Sequence, residues 1–218
     1  MDLTQTMTKN WIGTDESGKG DYFGPLVIAG VCCNLESAEK LKSLAVRDSK
    51  LISDNKVKEM AEKIKQISPH NLVVIGPEKY NQLYEKMRNL NKLLAWGHAR
   101  VIENLLSSSA TEPDYVISDK FGDESYIQKA LMEKGKKIQL QQRVKAESDI
   151  AVAAASILAR AEFLKRLQEF SDKYGLNLPK GSSETIDQIG RKLVEKYGEE
   201  VLKNVAKLHF KNTPRVLG

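Results

Sequence analysis

A chain of 218 residues can bury one substantial core, and 41% apolar with 29% charged residues is a globular balance, not a disordered or fibrous one. No apolar run reaches the roughly 20 residues needed to cross a bilayer, and the first ten residues lack a signal peptide's apolar block, so a cytoplasmic chain with no membrane contact is expected; its oligomeric state is not written in the sequence, and monomer is the default. The excess of 34 basic over 29 acidic side chains gives +5 and a pI near 9.0, which suits a polyanionic partner without establishing one.

In chain order, residues 10–14 read as a first strand that ends at a glycine-rich turn. Residues 26–33 (LVIAGVCC) form a continuous apolar run of strand length, as in a strand buried on both faces. Cys32 and Cys33 are neighbours inside that run, a placement that suits buried free thiols and not a disulfide framework. Residues 36–44 and 53–67 carry helical spacing, and 71–75 (NLVVI) reads as a short strand. An amphipathic helix is expected over 91–106, a strand over 115–118 running into Asp119, a helix over 125–134 and a strand over 137–140. The alanine-rich stretch 151–167 predicts a long helix able to lie close against a sheet. Two shorter helical patterns break near Gly198, and His209 to Pro214 reads as ordered coil. No repeat or linker divides the chain. An early hairpin followed by βα units predicts an α/β fold in one domain over 1–218, a mixed sheet flanked by helices with further helices at the C-terminus.

The chemistry concentrates in residues 13–26, GTDESGKGDYFGPL. Asp15 and Glu16 end the first strand and are followed by Gly18, Lys19 and Gly20. Adjacent strand residues point to opposite faces, so both carboxylates serve one site only if the chain leaves regular β geometry there. A glycine turn also exposes backbone N–H groups to a sugar or phosphate. Asp119 follows a strand and Glu147 precedes the alanine-rich helix, and such ends face one edge of an α/β sheet. Converging carboxylates repel unless cations lie between them, and an all-oxygen set suits Mg²⁺ or Mn²⁺, two of which can activate water at a phosphodiester. Asp149 lies two residues from Glu147 and can serve instead, since spacing does not rank them. Alone, each acid also has a bland role: Asp119 as a turn former, Glu147 opposite a helix dipole.

The opening signature GTDESGKGDYFGPLVIAGV, the RDSK of residues 47–50, NLNKLLAWGHA from Asn89, the block KAESDIAVAAASILAR and HFKNT from His209 together resemble ribonuclease HIII, a branch of the type 2 ribonucleases H. The resemblance implies a ribonuclease H-like fold and a metal-dependent endonuclease that cuts the RNA strand of RNA/DNA hybrids, leaving 5′-phosphate and 3′-hydroxyl ends. It implies Asp15, Glu16, Asp119 and Glu147 as catalytic, metal-binding carboxylates, with Glu147 preferred over Asp149 because KAE is the ribonuclease HIII form. It further implies Gly18, Lys19 and Gly20 as the contact to the ribose 2′-hydroxyl and Lys50 as a phosphate contact. The family's N-terminal substrate-binding domain has no counterpart in the few residues before the signature. Affinity is therefore expected from the lysines of 53–66, Lys86, Lys92 and the C-terminal region. His209 and Lys211 can approach the site or cap the fold, with capping the expectation, and Trp11, Trp96 and Cys32 are expected to pack. The alternatives are ribonuclease HII-like incision at a single embedded ribonucleotide and a hybrid-binding module without catalysis. No obligate protein partner is expected.

Overall fold

The apolar run at 26–33 is strand β2 (Leu26–Cys33) in the computed structural model, which describes residues 9–47, 49, 52–108, 113–119, 123 and 125–218. All eight residues of β2 are buried because helices cover both faces of the sheet. Strand β1 (Trp11–Ser17) pairs with it antiparallel, Asp15 opposite Ala29 and Ser17 opposite Val27. With β3 (His70–Ile75), β4 (Tyr115–Asp119) and β5 (Gln139–Arg143), the sheet order is β3-β2-β1-β4-β5. Strand β4 runs parallel to β1, and β5 parallel to β4.

On one face lie α1 (Leu35–Ser43), α2 (Asp54–Ile67) and α6 (Ile150–Tyr174), extended by α7 (Glu184–Tyr197), α8 (Val201–Val205) and α9 (Asn212–Leu217). On the other lie α3 (Pro77–Met87), α4 (Leu90–Ser108) and α5 (Ser125–Ala130). Each large aliphatic side chain buried in these two layers contributes roughly 1.5–3 kcal/mol. Both cysteines are buried thiols with no disulfide between them, as their spacing implied.

The alanines of α6 have a specific consequence. Ala151 and Val152 sit directly on β1, so closely that a methyl group on Gly13 would fall 2.3 Å from the Ala151 carbonyl carbon and 2.3 Å from the Val152 nitrogen. Only a strand without a side chain at that point, meeting a helix with small ones, allows this approach. The start of α6 is thereby set beside the end of β1.

Several boundaries differ from the sequence expectation. Strand β1 continues to Ser17 because β2 supplies partners that far. Helix α3 is an added element, started by Pro77, whose missing N–H costs nothing in a first turn. Helix α5 stops at Ala130, where buried Glu103 accepts the amides of Met132 and Gly135 and turns the chain. The stretch read as coil, His209 to Pro214, runs into α9 from Asn212, held by buried Asp187, which accepts from Asn212 Nδ2 at 2.5 Å and Arg215 Nε at 2.6 Å.

Gly13→Ala is expected to destabilise the fold by about 2–3 kcal/mol, since the new methyl meets backbone that must be displaced. For a chain of this size that is a fall of roughly 5–10 °C in Tm by calorimetry, and an unchanged Tm would show that α6 does not rest on β1 this closely.

Candidate active site

Parallel pairing sets Thr14 of β1 beside Ser118 of β4, which brings Asp15 and Asp119 to the ends of neighbouring strands on the α6 side of the sheet. Both line a cleft of about 510 Å³ together with Glu16, the turn of Gly18, Lys19 and Gly20, and the side chains of Arg160 and Lys180. Acidic and basic groups thus share one opening.

Glu16 reaches this cleft by another route than the sequence suggested. Strand geometry persists through Asp15 and Glu16, with Glu16 opposite Ile28, and departs only at Gly18, whose φ is +87°. The two carboxylates therefore alternate, and Glu16 lies on the α4 side. There His98 of α4, wholly buried, donates from Nε2 to Glu16 Oε2 at 3.2 Å. Its Nδ1 lies 2.9 Å from Thr14 Oγ1 and 3.5 Å from Ser118 Oγ, the register partners of β1 and β4. A hydroxyl donating to Nδ1 leaves the proton on Nε2, where the carboxylate needs it. Lys19 Nζ approaches Glu16 Oε1 at 3.4 Å. Burial by itself would raise the Glu16 pKa, but the hydrogen bond from His98 and the nearby Lys19 ammonium hold it below the usual carboxylate range.

Glu147 is not among the residues lining the cleft, but its turn is tied to Asp119. Lys145 adopts the left-handed region at φ +56°, a conformation that costs a non-glycine residue about 1 kcal/mol. The bend lets the Ala146 amide donate to Asp119 Oδ1 at 3.2 Å, and Glu147 follows in a single 3₁₀ turn before α6. Asp149 is engaged elsewhere. Its Oδ1 caps α6 by accepting from Ala151 N at 2.9 Å and Val152 N at 3.2 Å, and also takes the Trp11 indole N–H at 3.1 Å. Trp11 therefore does more than pack. Among the described residues no three His, Cys, Asp or Glu side chains stand as a ready-made metal cage. Mg²⁺ is commonly held by one or two carboxylates with water and substrate phosphate completing its shell, so the set of oxygen donors present suits such an ion.

The turn itself is closed on one side and open on the other. A methyl on Gly18 would lie 2.2 Å from the Pro25 carbonyl oxygen, whereas one on Gly20 would meet nothing within 4 Å. Gly18 is required by the fold, and Gly20 faces the cleft. Asp21 accepts from Gly181 N at 2.6 Å and so has a structural task. Across the cleft Arg160 binds the Ser49 carbonyl and donates to Asp54 at 2.5 Å, and Lys180 reaches the same carboxylate at 2.7 Å. Lys50 lies outside the described residues. His209 stacks on Tyr84 with ring centroids 4.0 Å apart; desolvation by that stack, with the charge of Lys207, lowers its pKa to about 4, and the residue caps the fold while keeping an exposed edge.

His98, Arg160 and Lys180 were not singled out from sequence. The first two stand in GHA and LAR, within the segments that carry the resemblance, but nothing local marks a histidine or an arginine as buried or bridging.

The family model described as Ribonuclease HII matches residues 12–213. The chain is 46% identical over 207 residues to a ribonuclease HIII of Protochlamydia amoebophila, covering 95% of this chain and 68% of that protein. It is 44% identical over 202 residues to a ribonuclease HIII of Chlamydia pneumoniae, covering 92% and 67%. The crystal structure of Bst-RNase HIII in complex with Mn²⁺ superposes with a TM-score of 0.90 at 33% identity, covering 98% of this chain and 70% of that one.

Asp149→Ala is expected to cost about 1–3 kcal/mol in thermal unfolding without metal, from the lost cap and indole bond, while Glu147→Gln stays within about 0.5 kcal/mol. Equal losses would contradict the division between them. Glu16, with its folded pKa below 4.5, stabilises the fold above pH 4.5, and that contribution disappears as pH falls through the lowered value. Acid titration in EDTA should accordingly give Glu16→Gln a shallower loss of stability below pH 4.5 than the parent chain; parallel curves would contradict it.

Proposed function

Because the chain belongs to the ribonuclease HII family, the type 2 ribonucleases H, we infer that it is a metal-dependent endoribonuclease that cuts the RNA strand of RNA/DNA hybrids. Its ribonuclease HIII relatives and the Mn²⁺ complex of a structural neighbour support that reading. The products we assign are 5′-phosphate and 3′-hydroxyl ends. The chain acts as a cytoplasmic monomer without an obligate protein partner, a setting its two buried thiols suit.

The single observation that carries the site is the adjacency of Asp15 and Asp119 at the ends of paired parallel strands, in the same cleft as the glycine turn. We assign Asp15, Glu16, Asp119 and Glu147 as the catalytic carboxylates and as ligands of Mg²⁺ or Mn²⁺. When bound, two such ions would supply the hydroxide nucleophile and neutralise charge on the departing oxygen. His98 fixes the Glu16 carboxylate and keeps its proton off, and the Ala146 amide fixes Asp119 in line with the Glu147 turn.

Gly18, Lys19 and Gly20 read the ribose 2′-hydroxyl through the open backbone, which distinguishes RNA from DNA. Lys50, with Lys19, Arg160 and Lys180 of the cleft, takes the phosphates. Binding that rests on such contacts weakens steeply with salt.

Asp119→Asn should reduce metal-dependent cleavage of a continuous hybrid by at least roughly a thousandfold in kcat/KM, the equivalent of about 4 kcal/mol, with the fold retained by circular dichroism. Unchanged cutting would sink the assignment. Given a continuous hybrid and a DNA duplex holding one ribonucleotide, the chain should prefer the former. Preference for the latter would make it ribonuclease HII-like, and tight hybrid binding without any cutting would make it a binding module.

A further inference from the structure

A lysine with no exposed surface demands a reason, because a side chain that only filled space would be apolar. Lys207 has 0% exposure, and removal from water drives its pKa down to about 7 against the opposing pull of Asp21. Its Nζ donates to the carbonyl oxygens of Asp21 at 2.8 Å, Gly24 at 2.7 Å and Phe23 at 3.5 Å. Three acceptors around one nitrogen match the three N–H bonds of an ammonium, and the Tyr80 ring face stands 5.7 Å away on another side. The lysine therefore gathers the segment that follows the glycine turn.

The backbone repeats this grip. Lys207 N donates to Tyr22 O at 2.9 Å, Gly24 N donates to Val205 O at 2.8 Å, and Phe23 forms a bridge with Ala206. Asn81 brackets the same point, donating to Ala206 O at 2.9 Å and accepting from Leu208 N at 2.9 Å. Residues 21–24 are thus held from the C-terminal side, while Gly18 packs against the Pro25 carbonyl just beyond them and Gly20 faces the open cleft.

We propose that Lys207 is a positioning residue for recognition of the ribose 2′-hydroxyl: it never touches substrate, but it holds the backbone behind the Gly18–Lys19–Gly20 turn so that the turn presents one shape to the cleft. The inference rests on the functional reading above. It assigns that reading's selectivity for RNA to a residue on the far side of the loop, distinct from the carboxylates.

The test compares Lys207→Met, close in length but without charge, with the parent chain. Three measurements are made: amide hydrogen exchange over residues 18–24, anisotropy binding of an RNA/DNA hybrid and of a DNA duplex of the same sequence with Ca²⁺, and Mn²⁺ affinity by calorimetry. Exchange over 18–24 should accelerate by about tenfold or more and preference for hybrid over DNA should fall by about tenfold, the scale of one charge-assisted hydrogen bond, with Mn²⁺ affinity unchanged. Unaltered exchange or unaltered preference in a folded variant overturns the proposal, and so does an equal fall in affinity for both duplexes. Should Lys207→Met not fold, Asn81→Ala loosens residues 206–208, which grip that segment from the C-terminal side. It should lower the preference by about threefold, roughly the loss of a neutral hydrogen bond, and no change there is equally fatal. A parent chain without preference for hybrid would sink the functional reading as well, whereas preference kept by the parent and by both variants removes only Lys207's role.

Discussion

The close approach of α6 to β1 at Gly13 is the constraint on which the site depends. Ala151 and Val152 begin the helix, Asp149 caps it, and Glu147 lies in the turn before it. Two residues beyond Gly13 on the strand stands Asp15. A single packing contact between small residues thus governs how near the start of a helix comes to the end of a strand. Parallel pairing of β1 with β4 adds Asp119 at the same level. The indole of Trp11, bonded to Asp149, ties the first residue of β1 to the helix cap and secures the approach from its other end.

Electrostatics explains why so many groups around the cleft are engaged with one another. Carboxylates brought together repel, and each costs free energy to remove from water. Glu16 meets that cost with a buried histidine and a lysine, Asp119 with a backbone amide, and Asp54 at the opposite wall with Arg160 and Lys180. The network orients the acids as well as charging them. Because Glu16 and Asp15 belong to opposite faces of one regular strand, they are held by different helices, α4 through His98 and α6 through its packing on Gly13. The proposed metal-binding edge is therefore where the two layers of the fold meet.

The C-terminal third supports the same edge from behind. Asp187 anchors α9, Gly181 takes Asp21, and Lys207 takes the carbonyls after the glycine turn. Contacts separated by more than 150 residues in sequence converge on a loop of a few residues. Such a loop, if left to itself, would sample many conformations and spend binding energy on being ordered. Holding it from behind leaves the face toward the cleft free of side chains, as Gly20 shows.

Local pattern alone determined a good deal: the doubly buried β2, the amphipathic α4, the alanine-rich α6 and the acids at element ends all follow from periodicities of two or 3.6 residues and from turn chemistry. The glycine turn and its flanking carboxylates were legible for the same reason, since each is a feature of consecutive residues. Tertiary structure decided what depends on partners distant in the chain. Asp149 and Glu147 are equivalent acids by spacing; the cap on α6 is a local bond of Asp149, but only the docking of α6 on β1 gives it the Trp11 indole as well. Continuation of β1 through Glu16, contrary to the expected departure, required β2 as a partner. Lys207 and His98 look like any lysine and histidine in sequence; their burial, and hence their roles, arises from strand register and long-range packing, which no local periodicity encodes.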